Sequence, residues 1–348
     1  VELGVIGFPF SGKTTVLQAL CGQTFSGHLA VAPVPDRRLD VLAAMFVPKK
    51  VTPATLQLQE VAGVVPGRLD KAGRNTFFDA VRRADALVHV VRFFPDPAVP
   101  HPLGRPDGQR DAQQLEEEMI LADLEHVQTL LERFRKKHNR STEEERQRQA
   151  LERCQRALED VRPLRLAELD DEARTALSGF GLLTLRPELL VCNVAEEAFG
   201  AGLPDAFLRW VESVGATVVE FSAAVESEIA RLEPGERAAF LAAYGLTESA
   251  TERVARAAYG ALRLISFLTA GPDEVRAWPI TEGTTARRAA GKIHSDIERG
   301  FIRAEVVAFQ DLERVGSWKA LREQGAIRLE GKDYIVRDGD IINFRFHV

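Results

Sequence analysis

The run GFPFSGKT occupies residues 7–14 and sets Gly7, Gly12, Lys13 and Thr14 at the spacing G-x-x-x-x-G-K-[ST]. Each residue type has a chemical reason to stand there. Glycines let the backbone wrap closely round phosphate oxygens. A lysine supplies a point charge for β- and γ-phosphates, and a threonine hydroxyl is a hard oxygen donor for Mg²⁺. The backbone from Phe10 and Ser11 through Gly12, Lys13, Thr14 and Thr15 would form the phosphate cradle, helped by the positive end of a helix. The pattern is a P-loop if a strand precedes it and a helix follows. Both flanks qualify. ELGVIG (residues 2–7) is an apolar run suited to a buried strand, and in TTVLQALC (14–21) Val16, Leu17, Leu20 and Cys21 share one helical face.

The elements that must position this loop alternate through residues 1–114. TLQLQEVAG (55–63) reads as a strand entering a loop, ALVHVVRF (86–93) as a buried strand, and PDPAVPHPLGRPDG (95–108) as a loop. From Leu115 the character changes. Ile120, Leu124, Val127, Leu131 and Phe134 repeat at heptad spacing, and Leu151, Cys154, Leu158 and Val161 continue it beyond the polar run KKHNRSTEEE (136–145). Residues 115–184 are expected to be an antiparallel coiled-coil arm. Strand-to-loop pieces return in PELLVCNVAEE (187–197) and ATVVEFSAAVESEIA (216–230), so the arm interrupts one α/β nucleotide-binding domain whose second part spans 185–274, helical to about residue 270. Residues 275–348 show hairpin-like β runs round one amphipathic helix at 285–298, a β-grasp pattern.

Composition agrees with a folded, multi-domain chain. It has 348 residues, 45% hydrophobic and 28% charged, so about two or three domains are expected. A net charge of −6 excludes general attraction to nucleic acid, although residues 275–348 alone carry +2. No apolar run approaches the ~20 residues of a membrane span. The three cysteines, Cys21, Cys154 and Cys192, are scattered, which points to a reducing cytoplasm and away from disulfides or a metal cluster.

The C-terminal runs AWPITEGTTARRAAGKIHSDIERGFIRAEVVAF (277–309) and RLEGKDYIVRDGDIINFRFHV (328–348) closely resemble the TGS domain of the YchF subfamily of Obg-related P-loop NTPases. The resemblance extends over nearly the whole chain, through PVPDRRLD (33–40), LADLEHV (121–127), CNVAEE (192–197) and FSAAVESEIA (221–230). It implies a TRAFAC GTPase-like P-loop domain with an inserted coiled coil and a TGS domain. It also implies ATP bound in preference to GTP, slow Mg²⁺-dependent hydrolysis, and association with ribosomes.

Base choice can be argued from the residues. Guanine readers use N-K-x-D, whose Asp accepts from guanine N1–H and the 2-amino group. Here the segment is Asn193-Val194-Ala195-Glu196: the Lys is gone and the carboxylate stands one methylene further out. An acceptor pair displaced by ~1 Å loses those hydrogen bonds, and with them discrimination for guanine. Asn193 is expected at the adenine edge, Val194 and Glu196 at the pocket wall, and the backbone of Ser222, Ala223 and Ala224 beside the base.

The apparatus that acts on the γ-phosphate departs from the family. D-x-x-G becomes Glu60-Val61-Ala62-Gly63; Glu60 keeps the charge for Mg²⁺ but moves it outward. Val64 stands where many GTPases have a water-orienting Gln, as the family also has an apolar residue there. The segment 66–78 is a shortened switch II tail. The best switch I candidate is Thr24. A helix over 14–21 carries the chain ~12 Å away and three extended residues return ~10 Å at most, so Thr24 does not comfortably reach a metal. His101 sits where the family has a mobile-loop His that positions water.

Three functions compete at this point. The first is a slow ATPase whose nucleotide state gates binding to the ribosome, the large subunit in particular, or to RNA through the TGS domain and the arm tip (Arg133, Arg135, Lys136, Lys137, Arg140), acting as a cytoplasmic monomer. The second is a hydrolysis-deficient nucleotide-binding adaptor, or a GTP-binding member, of the same family. The third, a small-molecule kinase, lacks a recognisable lid-like Arg cluster.

Overall fold

A buried strand needs a continuous apolar run and an amphipathic helix to cover each face, and the chain supplies both in alternation. The computed structural model describes residues 1–21, 28–67, 71–137, 139–229 and 231–347, with backbone alone for 71–75 and 234. In chain order it begins with β1 (Glu2–Ile6), α1 (Lys13–Cys21), β2 (Leu29–Pro33), α2 (Arg37–Phe46), β3 (Lys50–Thr52), β4 (Thr55–Glu60), α3 (Lys71–Val81) and β5 (Ala86–Arg92). The helices α4 (Gly108–Lys136), α5 (Thr142–Glu159) and α6 (Asp171–Leu177) follow. Then come β6 (Glu188–Asn193), α7 (Asp205–Ser213), β7 (Thr217–Phe221), α8 (Ala223–Ile229), α9 (Pro234–Ala243) and α10 (Ala250–Ala261).

One compact unit comprises residues 1–32 and 57–261. Its sheet has the order β2-β4-β1-β5-β6-β7. β1 pairs in parallel with β4 on one side and β5 on the other, and β6 and β7 continue in parallel beyond β5. The strand order therefore reverses at β1, and the P-loop leaves the carboxyl end of that strand, where open α/β sheets bind ligands.

The arm helices pack as the heptad stripe requires. Ile120, Val127 and Leu131 of α4 share a buried cluster with Leu151, Cys154 and Leu158 of α5. Asp107 caps α4 through the Arg110 N–H, and Ser141 opens α5 with a capping box to Glu144. Two details differ from the sequence expectation. The first arm helix begins at Gly108, not at 115, because Asp107 supplies its cap. Val161 leaves the stripe: it lies past the end of α5 at φ 55° and is 62% exposed.

The second unit comprises residues 33–56 and 262–348. It contains β8 (Leu264–Ala270), β9 (Glu274–Thr281), α11 (Ala286–Ile293), α12 (Ser295–Arg299), β10 (Phe301–Ala308), α13 (Phe309–Val315), α14 (Trp318–Glu323), β11 (Arg328–Glu330) and β12 (Asp340–Phe346). Its sheet order is β11-β10-β12-β8-β9-β3, and α11 buries Ala286, Ala289 and Ala290 among Phe267, Val306 and Ile342.

The boundary expected at 275 lies at 262, because LISFLTA forms β8 and pairs antiparallel with β9 instead of ending a helix. Residues 33–56 join this unit because β3 pairs with β9, Lys50 opposite Glu274. Arg38 ties the same segment down, reaching Asp36 and Asp338, while Asp338 Oδ1 accepts from the Ser266 N–H at 2.9 Å. The helix expected over 285–298 is two helices, broken where His294 turns extended (φ −163°) and caps α12.

Candidate nucleotide site

β1 delivers the chain to Gly7 and α1 starts at Lys13, so the loop spans the gap between a strand end and a helix N-terminus. Gly12 adopts φ 95°, and a Cβ there would lie 2.4 Å from Asn193 Nδ2. Only glycine fits that approach. A Cβ on Gly63 would lie 2.8 Å from Pro9 N and 2.9 Å from Lys13 Nζ, so the end of the Glu60–Gly63 segment is pressed against the loop. Phe10 sits at φ 63° and is 56% exposed.

Lys13 is 7% exposed, and its Nζ donates to the carbonyls of Gly7 at 3.2 Å and Phe8 at 3.0 Å. Burial pulls its pKa down from 10.5 to about 8, against the upward pull of the Glu60 carboxylate. The Thr14 hydroxyl donates to Glu60 Oε1 at 2.9 Å. Ser11 Oγ and Ser222 Oγ are buried and have no hydrogen-bond partner among the described residues. Buried hydroxyls are ordinarily satisfied, and two orphans, one in the loop and one where β7 meets α8, suit a site built to hold a polar ligand.

Asn193, at the end of β6, is 3% exposed and donates from Nδ2 to the Ser11 carbonyl at 3.4 Å. The sequence places it at a purine edge; the bond it makes ties the end of β6 to the P-loop. The Val194 N–H donates to Phe221 O at 2.8 Å, which fixes the start of the Ser222–Ala224 segment beside it. Glu196 is exposed, and its Oε1 accepts from the Tyr244 hydroxyl at 3.2 Å. Ala223 and Ala224 open α8.

His101 is not an open loop residue. Its side chain is 2% exposed, with Nε2 2.9 Å from Asp111 Oδ2. Nδ1 accepts from the Leu103 N–H at 3.2 Å. Both ring nitrogens are engaged, so the water-positioning geometry expected of His101 is not formed here. Buried Arg92 fixes the preceding loop by donating to the carbonyls of Phe94, Asp96, Val99 and Pro100. Val64 also points inward. It is 4% exposed in the core cluster of Phe8, Phe77, Leu115 and Met119, which joins this loop to α3 and α4. Thr24 lies outside the described residues.

Two family profiles match the chain. One described as a 50S ribosome-binding GTPase covers residues 2–133, and one named for the YchF GTPase C-terminus, described as a protein of unknown function, covers 264–347. The chain is 38% identical over 360 residues to a ribosome-binding ATPase YchF of Haemophilus ducreyi, spanning all of this chain and 99% of that protein. The chain belongs to the YchF family. It is also 34% identical to an Obg-like ATPase 1 of Oryza sativa, over all of this chain and 92% of that protein. The solved Schizosaccharomyces pombe YchF GTPase matches with a TM-score of 0.87 at 28% identity, covering 99% of this chain and 97% of that one.

The YchF fold carries a P-loop NTPase domain, and the residues here fit a Mg²⁺-nucleotide. A hydroxyl and a carboxylate facing each other at 2.9 Å form the all-oxygen donor pair that a hard cation uses when phosphates and waters complete its shell. Three groups escaped the sequence reading. Arg92 stands at the end of an expected strand, and Asp111 falls between the expected loop and the expected arm, without a motif to mark either. The third is a buried charge cluster in which Arg165 lies 2.7 Å from Glu116 and 2.8 Å from Glu188, which also meets His89 Nδ1 at 2.9 Å. Burial and the neighbouring Glu188 push the Glu116 carboxyl well up, whereas Arg165 and His89 outweigh burial and hold Glu188 low, at about 2. A polar residue inside an apolar strand, such as His89 in ALVHVVRF, was the available signal.

Proposed function

We propose that the chain binds ATP in preference to GTP at this P-loop, hydrolyses it slowly, and associates with the ribosome in a nucleotide-dependent way. The observation that carries the reading is the pairing of an intact phosphate loop with a base-reading segment that lacks the guanine-specific Asp: Lys13, Thr14 and Asn193 converge on one loop, and Glu196 is drawn to Tyr244. The full-length similarity to proteins named ribosome-binding ATPase supports the partner and the reaction. Thr14 and Glu60 would hold Mg²⁺, which supplies charge neutralisation of the phosphate oxygens when bound. Lys13 would turn from the Gly7 and Phe8 carbonyls to the β- and γ-phosphates. The large subunit, approached by the arm tip and the TGS unit, is the proposed docking surface, and a cytoplasmic monomer the proposed working form.

A second reading, binding without useful hydrolysis, is favoured by two observations: Glu60 in place of Asp, and both His101 nitrogens engaged. Calorimetry with ATP, ADP, GTP and GDP, each with Mg²⁺, tests the base. Single-turnover assays of wild type against Lys13→Ala separate a slow ATPase from an adaptor: a γ-phosphate release that survives the substitution unchanged removes the enzyme reading.

A further inference from the structure

The base-reading segment of this chain has a partner that neither its motif nor its flanks announce. Tyr244, at the carboxyl end of α9, donates its hydroxyl to Glu196 Oε1 at 3.2 Å. Its ring is not free to follow the carboxylate. It packs against Phe240 at a centroid distance of 5.3 Å and against Phe199 at 5.8 Å. Phe199 belongs to the buried cluster of Val194, Val225 and Ile229, which underlies the same segment. The Gly200 N–H donates to Glu220 Oε1 at 2.9 Å, fastening the turn that follows Glu196 to β7. The hydroxyl is therefore the fixed member of the pair, and the long, exposed Glu196 side chain is the member that is positioned.

This has a consequence for base selection. A Glu at this position is one methylene too long to copy an Asp in the extended rotamer, but it could fold back and offer both oxygens to the N1–H and 2-amino donors of guanine. A tyrosine hydroxyl bound to one oxygen occupies a lone pair there and fixes the direction of the carboxylate. Specificity is a difference between two affinities, and turning the acceptor pair away acts on guanine alone, because adenine has no N1–H and 2-amino donor pair. We propose that Tyr244 is a positioning residue for nucleotide specificity: through its hydrogen bond it holds Glu196 away from a guanine-reading geometry and so disfavours guanine nucleotides. The inference rests on the reading of residues 193–196 and 222–224 as the base site.

The test uses the full chain and the diphosphates ADP and GDP with Mg²⁺, so that turnover does not enter. Dissociation constants are measured by calorimetry for wild type, Tyr244→Phe, Glu196→Gln and the double variant. Tyr244→Phe keeps the ring packing and removes only the hydroxyl. GDP affinity should rise relative to ADP by about threefold to tenfold, the worth of one modest exposed hydrogen bond. In the Glu196→Gln background the same substitution should leave the ratio unchanged. A Tyr244→Phe ratio equal to wild type overturns the inference, as does an equal shift in the Glu196→Gln background, which would mean that Tyr244 meets the base directly. A merely structural role would lower both affinities together and leave the ratio in place. The wild-type ratio itself reads the adenine preference, so failure of that reading and failure of the Tyr244 role are distinguished.

Discussion

Thr14 and Glu60 are hydrogen-bonded to each other at 2.9 Å although 46 residues separate them. The P-loop hydroxyl and the carboxylate that ends β4 thus meet directly. With an Asp, the carboxylate would stop one methylene short of this contact and leave room for a metal-bound water. With Glu60, the carboxylate reaches the hydroxyl directly, while the lone pairs of Thr14 Oγ1 stay open to a cation.

Glu60→Asp should therefore raise turnover more than it changes affinity. Losing or restoring one charge-stabilising contact in such a site changes rate by roughly 10²–10³. Single-turnover ATP hydrolysis should rise at least about tenfold by that measure, and the Mg²⁺ concentration for half-maximal nucleotide binding should fall. An unchanged rate at saturating Mg²⁺ would show that Glu60 does not limit the reaction.

The depressed pKa of Lys13 fixes a pH dependence. The folded value is about 8 and the ordinary value 10.5, so the nucleotide-free fold carries a penalty for the charged lysine that is complete below about pH 8 and is relieved between 8 and 10.5. Denaturant titrations of wild type and Lys13→Met should show the variant gaining relative stability as pH falls through that window, by about 3 kcal/mol at most. Bound phosphate restores the charge, so nucleotide binding near pH 8.5 should take up protons, visible as a buffer-dependent calorimetric enthalpy. A stability gap flat across the window would contradict the burial of the ammonium group.

For His101 to act on water its ring must first leave Asp111; if it does so when nucleotide binds, His101→Ala should reduce hydrolysis by about 10²–10⁴ and leave nucleotide affinity nearly intact. It should also destabilise the fold by about 1 kcal/mol, since it removes one partner of the buried Asp111 carboxylate and leaves Arg110 as the other. Thermal melts and γ-phosphate release read the two effects separately. Wild-type hydrolysis rates in the alanine variant would remove His101 from the reaction.

Val64→Gln should not create a GTPase. The side chain belongs to the core beside Phe77 and Met119, so an amide there would be buried without a partner at a cost of about 1–3 kcal/mol. A lower melting temperature with no gain in rate is expected. A faster enzyme would mean that residue 64 turns outward when nucleotide binds.

The arm tip is less basic than its composition suggests. Lys137 pairs with Glu144 and Arg140 with Glu145, whereas Arg133, Arg135 and Lys136 are exposed on α4. Reversing those three charges should weaken ribosome co-sedimentation and flatten its dependence on salt, and reversing Lys137 and Arg140 should do less. Sedimentation unchanged across a salt series would take the tip out of the interface.

What the sequence determined by itself was local: a loop whose glycines have no substitute, an apolar run on each side of it, and a heptad stripe that two helices can bury only against each other. These follow from short-range sterics and periodicity, and they located Lys13 and Thr14 at one loop, whereas the contact of Asn193 with Ser11 of that loop came only with the fold. The missing guanine-reading Asp was equally visible. Long-range pairing was not. LISFLTA suits a helix as well as a strand, and only β9 alongside it made β8. Residues 33–56 were assigned by position to the first domain, yet β3 found its partner in the second sheet. The state of His101, the inward turn of Val64 and the grip of Tyr244 on Glu196 depend on side chains 10 to 55 positions away, such as Asp111, Met119 and Tyr244. Such contacts are set by the folding of the whole chain, because no local pattern records which distant group a polar or apolar side chain will meet.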